Sequence, residues 1–413
     1  MEKQNIRLPR VERVEPVNEN IDAIYEIKSD YKRFDESMHM NLRRVWDPKW
    51  VKGRTAQRKA RQRRIEKGIR GYSLEDYALL DAGGFTSSVL GGHAGSFIVS
   101  YDYAFKHLPQ STTAPHLQDV APRTEEISLV SVDPGAMAYR IRQAGQFCGA
   151  DEVGICEVDR RWVYGRRWNP NTNRADIPGD QDIGEEYTRV IVLVGAMDES
   201  IVKYSPTALG AAATELGYAM MGFTAASVAA FIRRLGFRAI PTGNDTALSI
   251  PYATMAGLGE LGRHGLLIHP QHGARVRIAK IFTNLPVKPD RPIRFGVSDY
   301  CATCDLCAKA CPAQCIPYGE PTTEIPNDAA APGMRKWYID SKKCRSFWDR
   351  NGSDCSNCIK VCPYGYETSD ELAARPDIHE WWGSGPYAVA HLRRSDTVWE
   401  ESNTLAQEDS GHG

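Results

Sequence analysis

Four cysteines at Cys301, Cys304, Cys307 and Cys311, the last followed by Pro312, constrain this chain more than any other feature. Steps of three, three and four residues with a closing proline fit C-x2-C-x2-C-x3-C-P, a spacing that wraps thiolates around a four-iron cube and gives its fourth cysteine to a neighbouring cluster. A second cluster is therefore required. Cys355, Cys358 and Cys362-Pro363 repeat the end of the run, and Cys344 lies upstream across the stretch RSFWDRNGSD. Crossing the ligands places Cys301, Cys304, Cys307 and Cys362 on one 4Fe-4S cluster and Cys311, Cys344, Cys355 and Cys358 on the other. Zinc is served by pairs of cysteines or Cys/His pairs, and three-residue steps are too tight for a disulfide framework in so long a chain. Of the eleven cysteines, Cys148, Cys156 and Cys315 remain. They are read as core or incidental residues, although Cys315 is close enough to the first run to be a rival ligand.

At 413 residues the chain exceeds one ordinary domain. Its net charge of -1 gives no support to nucleic-acid binding through overall positive charge. No run of 18 or more residues is wholly apolar, and Glu215 interrupts the most apolar stretch, 207–231, so no membrane span is expected. The N-terminus lacks an apolar signal core, and Arg43-Arg44 leads into WDPKW, so the chain is either cytoplasmic or lacks a leader that has been removed.

Residues 1–125 read as irregular and polar. Their basic run, 52–70, holds nine Lys or Arg and one Glu and is taken as the solvated face of a helix in preference to a nucleic-acid or acidic-partner patch. Residues 81–100 suggest packed loops with a strand near Phe97–Val99. Phe85 and Tyr101 could line a pocket, yet aromatics beside glycines are more often core. The middle third is regular: a helix ending near Gly149 and then a strand, an apolar strand at 189–197, and a long helix from Pro206 to Arg234. The strand FRAIP, a turn, a Gly-rich helix-and-loop segment and the strand RVRIAKIFTNLP follow, an alternating α/β core. Residues 370–413 form a polar tail with Trp381, Trp382 and Trp399, its end expected to be disordered.

Two clusters form an electron wire, and a wire beside a core of roughly 170 residues implies a redox centre or substrate within it. A bare two-cluster carrier has little need of such a core. GLGELG at 257–262 falls in a helical region with no acidic partner, so a nicotinamide or flavin site is poorly supported. No D-x-H-x-x-G run is present to supply a histidine to cobalt.

The stretch from Ile232 to Pro286, IRRLGFRAIPTGNDTALSIPYATMAGLGELGRHGLLIHPQHGARVRIAKIFTNLP, followed by both cysteine runs, resembles the corrinoid and iron-sulfur reductive dehalogenases of organohalide-respiring bacteria. The likeness covers about residues 125–366 and is dense over 206–366. It implies an α/β (α+β) nitroreductase-like core at 126–295 holding a base-off, cobalamin-type corrinoid, and a bacterial ferredoxin-like two-cluster module at 296–366. An N-terminal region at 1–125 would cover the site, and 367–413 would be a tail. The implied reaction is two-electron reductive cleavage of carbon-halogen bonds in small organohalides, chlorinated alkanes or alkenes, as the terminal step of organohalide respiration.

By the same resemblance the proton donor is Tyr218, Asn244 hydrogen-bonds the leaving halide or orients the tyrosine, and Arg277 is the basic partner of the tyrosine, with Arg275 a nearby rival. A phenol ionises near pH 10 in water and is tuned by a cation that favours its phenolate. A core tyrosine with a satisfied hydroxyl is the bland alternative. Gly257, Gly259, Gly262 and His264 are the cofactor-binding candidates, and Trp348 and Phe85 the substrate-pocket candidates. Unless the insertion merely shields a cluster from water, Trp348 reaches over the site. The resemblance further implies a small membrane anchor protein, an electron donor in the respiratory chain, a possible homodimer and no nucleic acid. It places the chain on the outer face of the cytoplasmic membrane through a removed twin-arginine leader. The rival is an epoxyqueuosine reductase-like enzyme acting on transfer RNA, which the basic run favours.

Overall fold

The computed structural model describes residues 8, 9, 11, 14–18, 20–84, 133–169, 174–178, 183–367, 371 and 372. Phe85, Tyr101, the strand expected near Phe97 and the three tryptophans of the tail lie outside them. A short strand β1 (Glu15–Pro16) precedes helices α1 (Ile21–Tyr25), α2 (Met40–Trp46), α3 (Pro48–Glu66) and α4 (Leu74–Gly83). Helix α5 (Pro134–Phe147) starts where Asp133 accepts the Ala136 N–H at 2.6 Å, and leads into β2 (Glu152–Glu157). The hairpin β3 (Arg166–Asn169) and β4 (Arg174–Pro178), the strand β5 (Arg189–Ala196) and the turn α6 (Glu199–Val202) come before the long helix α7 (Ala208–Arg234). Next are β6 (Ala239–Thr242), α8 (Ser249–Met255), the pair β7 (Glu260–Leu261) and β8 (Leu267–Ile268), β9 (Val276–Thr283) and β10 (Ile293–Arg294). The cysteines are carried by α9 (Val297–Thr303), α10 (Leu306–Lys309), α11 (Ser341–Asn351), α12 (Asn357–Lys360) and their connections.

The central sheet has the order β2-β5-β9-β6, and each neighbouring pair is antiparallel. The apolar run of β5 therefore does not arise from parallel pairing. It arises because both faces are covered: Ile191 and Leu193 meet α5 and α7 in one core, while Val190, Val192 and Val194 meet Tyr252 and Ala253 of α8 in another. Close approach on the second face is set by Gly154 of β2, where an added Cβ would stand 2.4 Å from the Ala256 carbonyl oxygen. A backbone atom cannot rotate away, so Gly154→Ala is expected to destabilise the fold by about 1–3 kcal/mol, read from denaturant unfolding.

Helix α7 does not begin at Pro206 as its sequence suggests. Pro206 follows a cis peptide, and Thr207 caps the helix by accepting the Gly210 N–H at 3.2 Å. By length and composition this helix could cross a membrane. It is instead the central core helix, with Met221, Ala225, Val228, Ala229 and Ile232 packed on the sheet.

The N-terminal region is more regular than its polarity suggests. Its basic run lies mostly on α3, and two of the arginines are engaged by side chains: Arg64 is buried over the Tyr72 ring at 4.3 Å, and the half-buried Arg61 lies 4.2 Å from the Tyr77 ring and pairs with Asp81 at 2.8 Å. Helix α4 runs along α7 so closely that a Cβ on Gly83 would meet the Ala212 carbonyl at 3.1 Å. The buried Tyr72 hydroxyl donates to the Pro206 carbonyl at 3.0 Å and the Asn351 side chain at 2.8 Å. This residue joins the N-terminal helices, the start of α7 and the cysteine module.

Candidate active site beside the long helix and the cysteine module

Tyr218, Asn244 and Arg277, far apart in sequence, meet at α7. The Asn244 amide donates to the Tyr218 hydroxyl at 3.1 Å, and the Arg277 guanidinium carbon lies 4.8 Å from the Tyr218 ring centroid. Arg277 reaches α7 past Gly217, where a Cβ would sit 2.9 Å from the Arg277 Cγ. Arg275 is engaged elsewhere, pairing with Glu199 at 3.0 Å and donating to the Gly365 carbonyl at 3.2 Å. Arg277, not Arg275, is the cation on the tyrosine.

The turn carrying Asn244 is held from several sides. Gly243 donates its N–H to Asp245 at 2.6 Å, the Tyr164 hydroxyl donates to the Asn244 carbonyl at 2.7 Å, and the buried ammonium of Lys280 donates to the Gly243 carbonyl and to Ser249 at 2.8 Å. Burial pushes Lys280 down to about 8, with Asp245 and Glu36 opposing the shift. A lysine depressed in the folded state burdens stability while it is protonated there, and the burden lifts as pH rises from the folded value toward about 10.4, the unfolded one. The protein is thus expected to gain on the order of 1–3 kcal/mol between pH 8 and 10 relative to Lys280→Met, measured as the difference between their urea midpoints.

Two acids that the sequence reading passed over stand in the field of Arg277. Burial raises the Glu215 carboxyl, with Arg277 opposing. Asp354 is pushed up to about 7 by burial and by Glu215, again opposed by Arg277. Glu215 is three residues before Tyr218 on one helix, a spacing that puts both on one side, and Asp354 immediately precedes Cys355. The Arg277 Nε, Asp354 Oδ1, Ser353 Oγ and Trp348 Nε1 atoms are buried without a hydrogen-bond partner from the protein. Arg277 and Asp354 lie in each other's field and Ser353 adjoins Asp354 in sequence, and orphans so placed fit a bound polar group better than a closed core.

The cysteines fall into two neighbourhoods. Cys362, last in sequence, has Cys301, Cys304 and Cys307 as its electrostatic neighbours, whereas Cys355 and Cys358 face Cys311. Burial pushes the Cys301 and Cys358 thiols up to about 11, so cluster loading must release their protons. Among the described residues no group of Cys, His, Asp or Glu closes on a single ion. Arg263, which the sequence reading did not single out, braces the first run: its buried guanidinium donates to the carbonyls of Cys301 at 2.7 Å, Cys304 at 2.9 Å and Gly319 at 2.8 Å.

The cofactor-binding candidates next to it divide. A Cβ on Gly257 would meet the Arg291 carbonyl at 2.5 Å, on Gly259 the Ile268 carbonyl at 2.2 Å, and on Gly262 the Ile268 side chain at 2.7 Å. Close approach of the chain to itself accounts for these glycines without a ligand. His264 is buried, which pushes it down to about 4 and keeps it neutral; Nδ1 accepts the Leu266 N–H at 3.2 Å, leaving Nε2 protonated and without a protein partner. Trp348 lies on α11 with the Arg345 guanidinium 4.9 Å from its ring, and α11 packs on α3.

The 4Fe-4S dicluster domain family matches residues 300–366. A tetrachloroethene reductive dehalogenase of Desulfitobacterium hafniense is 38% identical over 295 residues, 60% of this chain and 54% of that protein. An epoxyqueuosine reductase of Listeria monocytogenes is more distant, 30% identical over 143 residues, 34% of this chain and 36% of that one. Among solved structures, a catabolic reductive dehalogenase, NpRdhA, aligns with a TM-score of 0.57 at 20% identity, covering 97% of this chain and 49% of that one. The chain spans about half the length of the curated relatives it matches. It is similar to reductive dehalogenases in sequence and shares their fold, and its C-terminal part is a two-cluster iron-sulfur domain.

Proposed function

We propose that the chain is the catalytic part of a reductive dehalogenase that cleaves carbon-halogen bonds of small organohalides, chlorinated alkanes or alkenes, with two electrons delivered through its two 4Fe-4S clusters. The observation that carries this reading is the Tyr218–Asn244–Arg277 contact, with Asp354 and Cys358 of the second cysteine group in the field of Arg277. The core is read as nitroreductase-like, holding a base-off cobalamin-type corrinoid between α7 and the cysteine module. When bound, that cofactor supplies a cobalt able to pass the electron pair to the carbon-halogen bond. Arg277 Nε and Asp354 Oδ1 are unmatched polar atoms suited to its periphery, and His264 Nε2, beside Arg263, is a further candidate.

The protein's own part is protonation and orientation. Tyr218 gives the proton that the product carbon requires, Asn244 fixes the hydroxyl, and Arg277 stabilises negative charge left on oxygen. Trp348 supplies an apolar wall for substrate. The proposed setting is respiratory: terminal reductase, outer face of the cytoplasmic membrane, a small anchor protein, a donor from the respiratory chain and a possible dimer. The basic run gives little support to an RNA substrate, since Arg61 and Arg64 are engaged with Tyr77 and Tyr72.

The test is cobalt and iron per chain after anaerobic reconstitution with cobalamin, followed by halide release from a panel of chlorinated alkanes and alkenes. About one cobalt with about eight iron, and halide released, is the expected result. Iron at that level without cobalt would leave an electron carrier and overturn the corrinoid reading.

A further inference from the structure

Five thiols, not four, surround the position of the second cluster. Cys315 lies four residues beyond Cys311, and the chain between them folds back through Gln314, whose φ of 46° is in the left-handed region. The Gln314 N–H and side-chain amide both donate to the Cys311 carbonyl, at 3.1 and 2.8 Å, which closes the turn. The fold-back sets the Cys315 Sγ 3.3 Å from the Cys311 Sγ and aims the Cys315 N–H at that same sulfur at 3.5 Å. Both cysteines are buried, 6% and 7% exposed, in an apolar shell with Ala308 and Ile316, and Cys344 and Cys358 are the further thiols near Cys315.

Each iron of a four-iron cube offers one outward position, and four thiolates fill them. With Cys311, Cys344, Cys355 and Cys358 as ligands, Cys315 has no iron of its own, yet its sulfur touches a ligand sulfur inside a dry shell. We propose that Cys315 is an alternate ligand of the second cluster, able to replace Cys311. In the exchange the iron–sulfur bond to Cys311 breaks and one to Cys315 forms. The proton leaving Cys315 passes across the sulfur–sulfur contact to Cys311, so no electron is gained or lost. A small rotation about each Cα–Cβ bond suffices at such a separation, and the amide at the Cys311 sulfur stabilises the charge on it in the starting state. The second cluster would thereby keep its four thiolates through damage or dissociation at Cys311.

This inference rests on the two-cluster assignment, and iron content separates the two. The full chain is reconstituted anaerobically as the unaltered protein, Cys311→Ala, Cys311→Ala with Cys315→Ala, and Cys355→Ala, whose thiol neighbours Cys358 and Cys311 are themselves ligands. About eight iron is expected for the unaltered chain and for Cys311→Ala, and about four for the double variant and for Cys355→Ala. Cys311→Ala falling to about four while the unaltered chain holds about eight overturns the alternate ligand alone. About four in the unaltered chain overturns the two-cluster assignment with it. Should Cys311→Ala fail to fold, Cys315→Ala decides. It is expected to keep its iron with a shifted reduction potential and electron paramagnetic resonance signal for the second cluster, because a sulfur and its environment in contact with a ligand are altered; an unchanged potential overturns the proposal.

Discussion

Replacing Tyr218 with phenylalanine is expected to lower halide release by about 10²–10⁴-fold while leaving iron and corrinoid content as in the unaltered chain. The substitution is a narrow one. Phenylalanine keeps the ring that packs under the Arg277 guanidinium at 4.8 Å and removes only the hydroxyl that accepts the Asn244 amide at 3.1 Å. The loss is therefore the loss of a positioned proton, with little cost in packing. Halide release and uptake of deuterium from heavy water into the product measure it together. Unchanged turnover would remove Tyr218 as the donor. The next acids in the field of Arg277 are Glu215 and Asp354, which burial holds toward their protonated forms.

The parts legible in the sequence were those whose burial is uniform along a segment. Strand β5 and helix α7 bury long stretches of their own surface, so their patterns are local. The basic run reads as a helix with a solvated face, but the charge that the N-terminal helices bury does not show in it: Arg64 lies on Tyr72, and Arg43 is 8% exposed with its guanidinium on Asp47 at 2.7 Å. A pattern that counts arginine as solvent-facing cannot find them. Strand direction is set by which chain ends meet, and an apolar run covered on both faces reads the same in parallel and antiparallel sheets. At the site, the cysteine spacing displayed two ligand groups because ligation is partly local, whereas Tyr218, Asn244 and Arg277 were found only through resemblance. Glu215 and Asp354 had no such guide. Their departure from ordinary carboxylates comes from burial and from Arg277, which only the folded chain brings to them. Lys280 did leave a trace, a cation between Ala279 and Ile281 in the apolar half of β9.

Cys362→Ala is expected to reduce iron from about eight to about four per chain and to stop sustained turnover, yet to spare a single turnover by protein reduced beforehand. The argument is one of placement. Cys362 sits among Cys301, Cys304 and Cys307, beside Tyr364, Tyr300 and the Arg263 brace. Arg277, the residue over Tyr218, instead counts Cys358 and Asp354 among its electrostatic neighbours. On the proposed assignment the second cluster is therefore the one nearer Tyr218 and Arg277, and the first is reached from it through Cys307, which has Cys358 as an electrostatic neighbour. Removing the first cluster cuts the supply of electrons from outside, while the one electron of an already reduced second cluster, with one held beforehand on the corrinoid that would be bound, would make up the pair for one cleavage. Rapid mixing of photoreduced protein with substrate, followed by counting halide released per chain, separates the two phases. If the single turnover disappears along with the iron, Cys362 serves the cluster beside Arg277, and the order of the electron path is the reverse of the one argued from these neighbours.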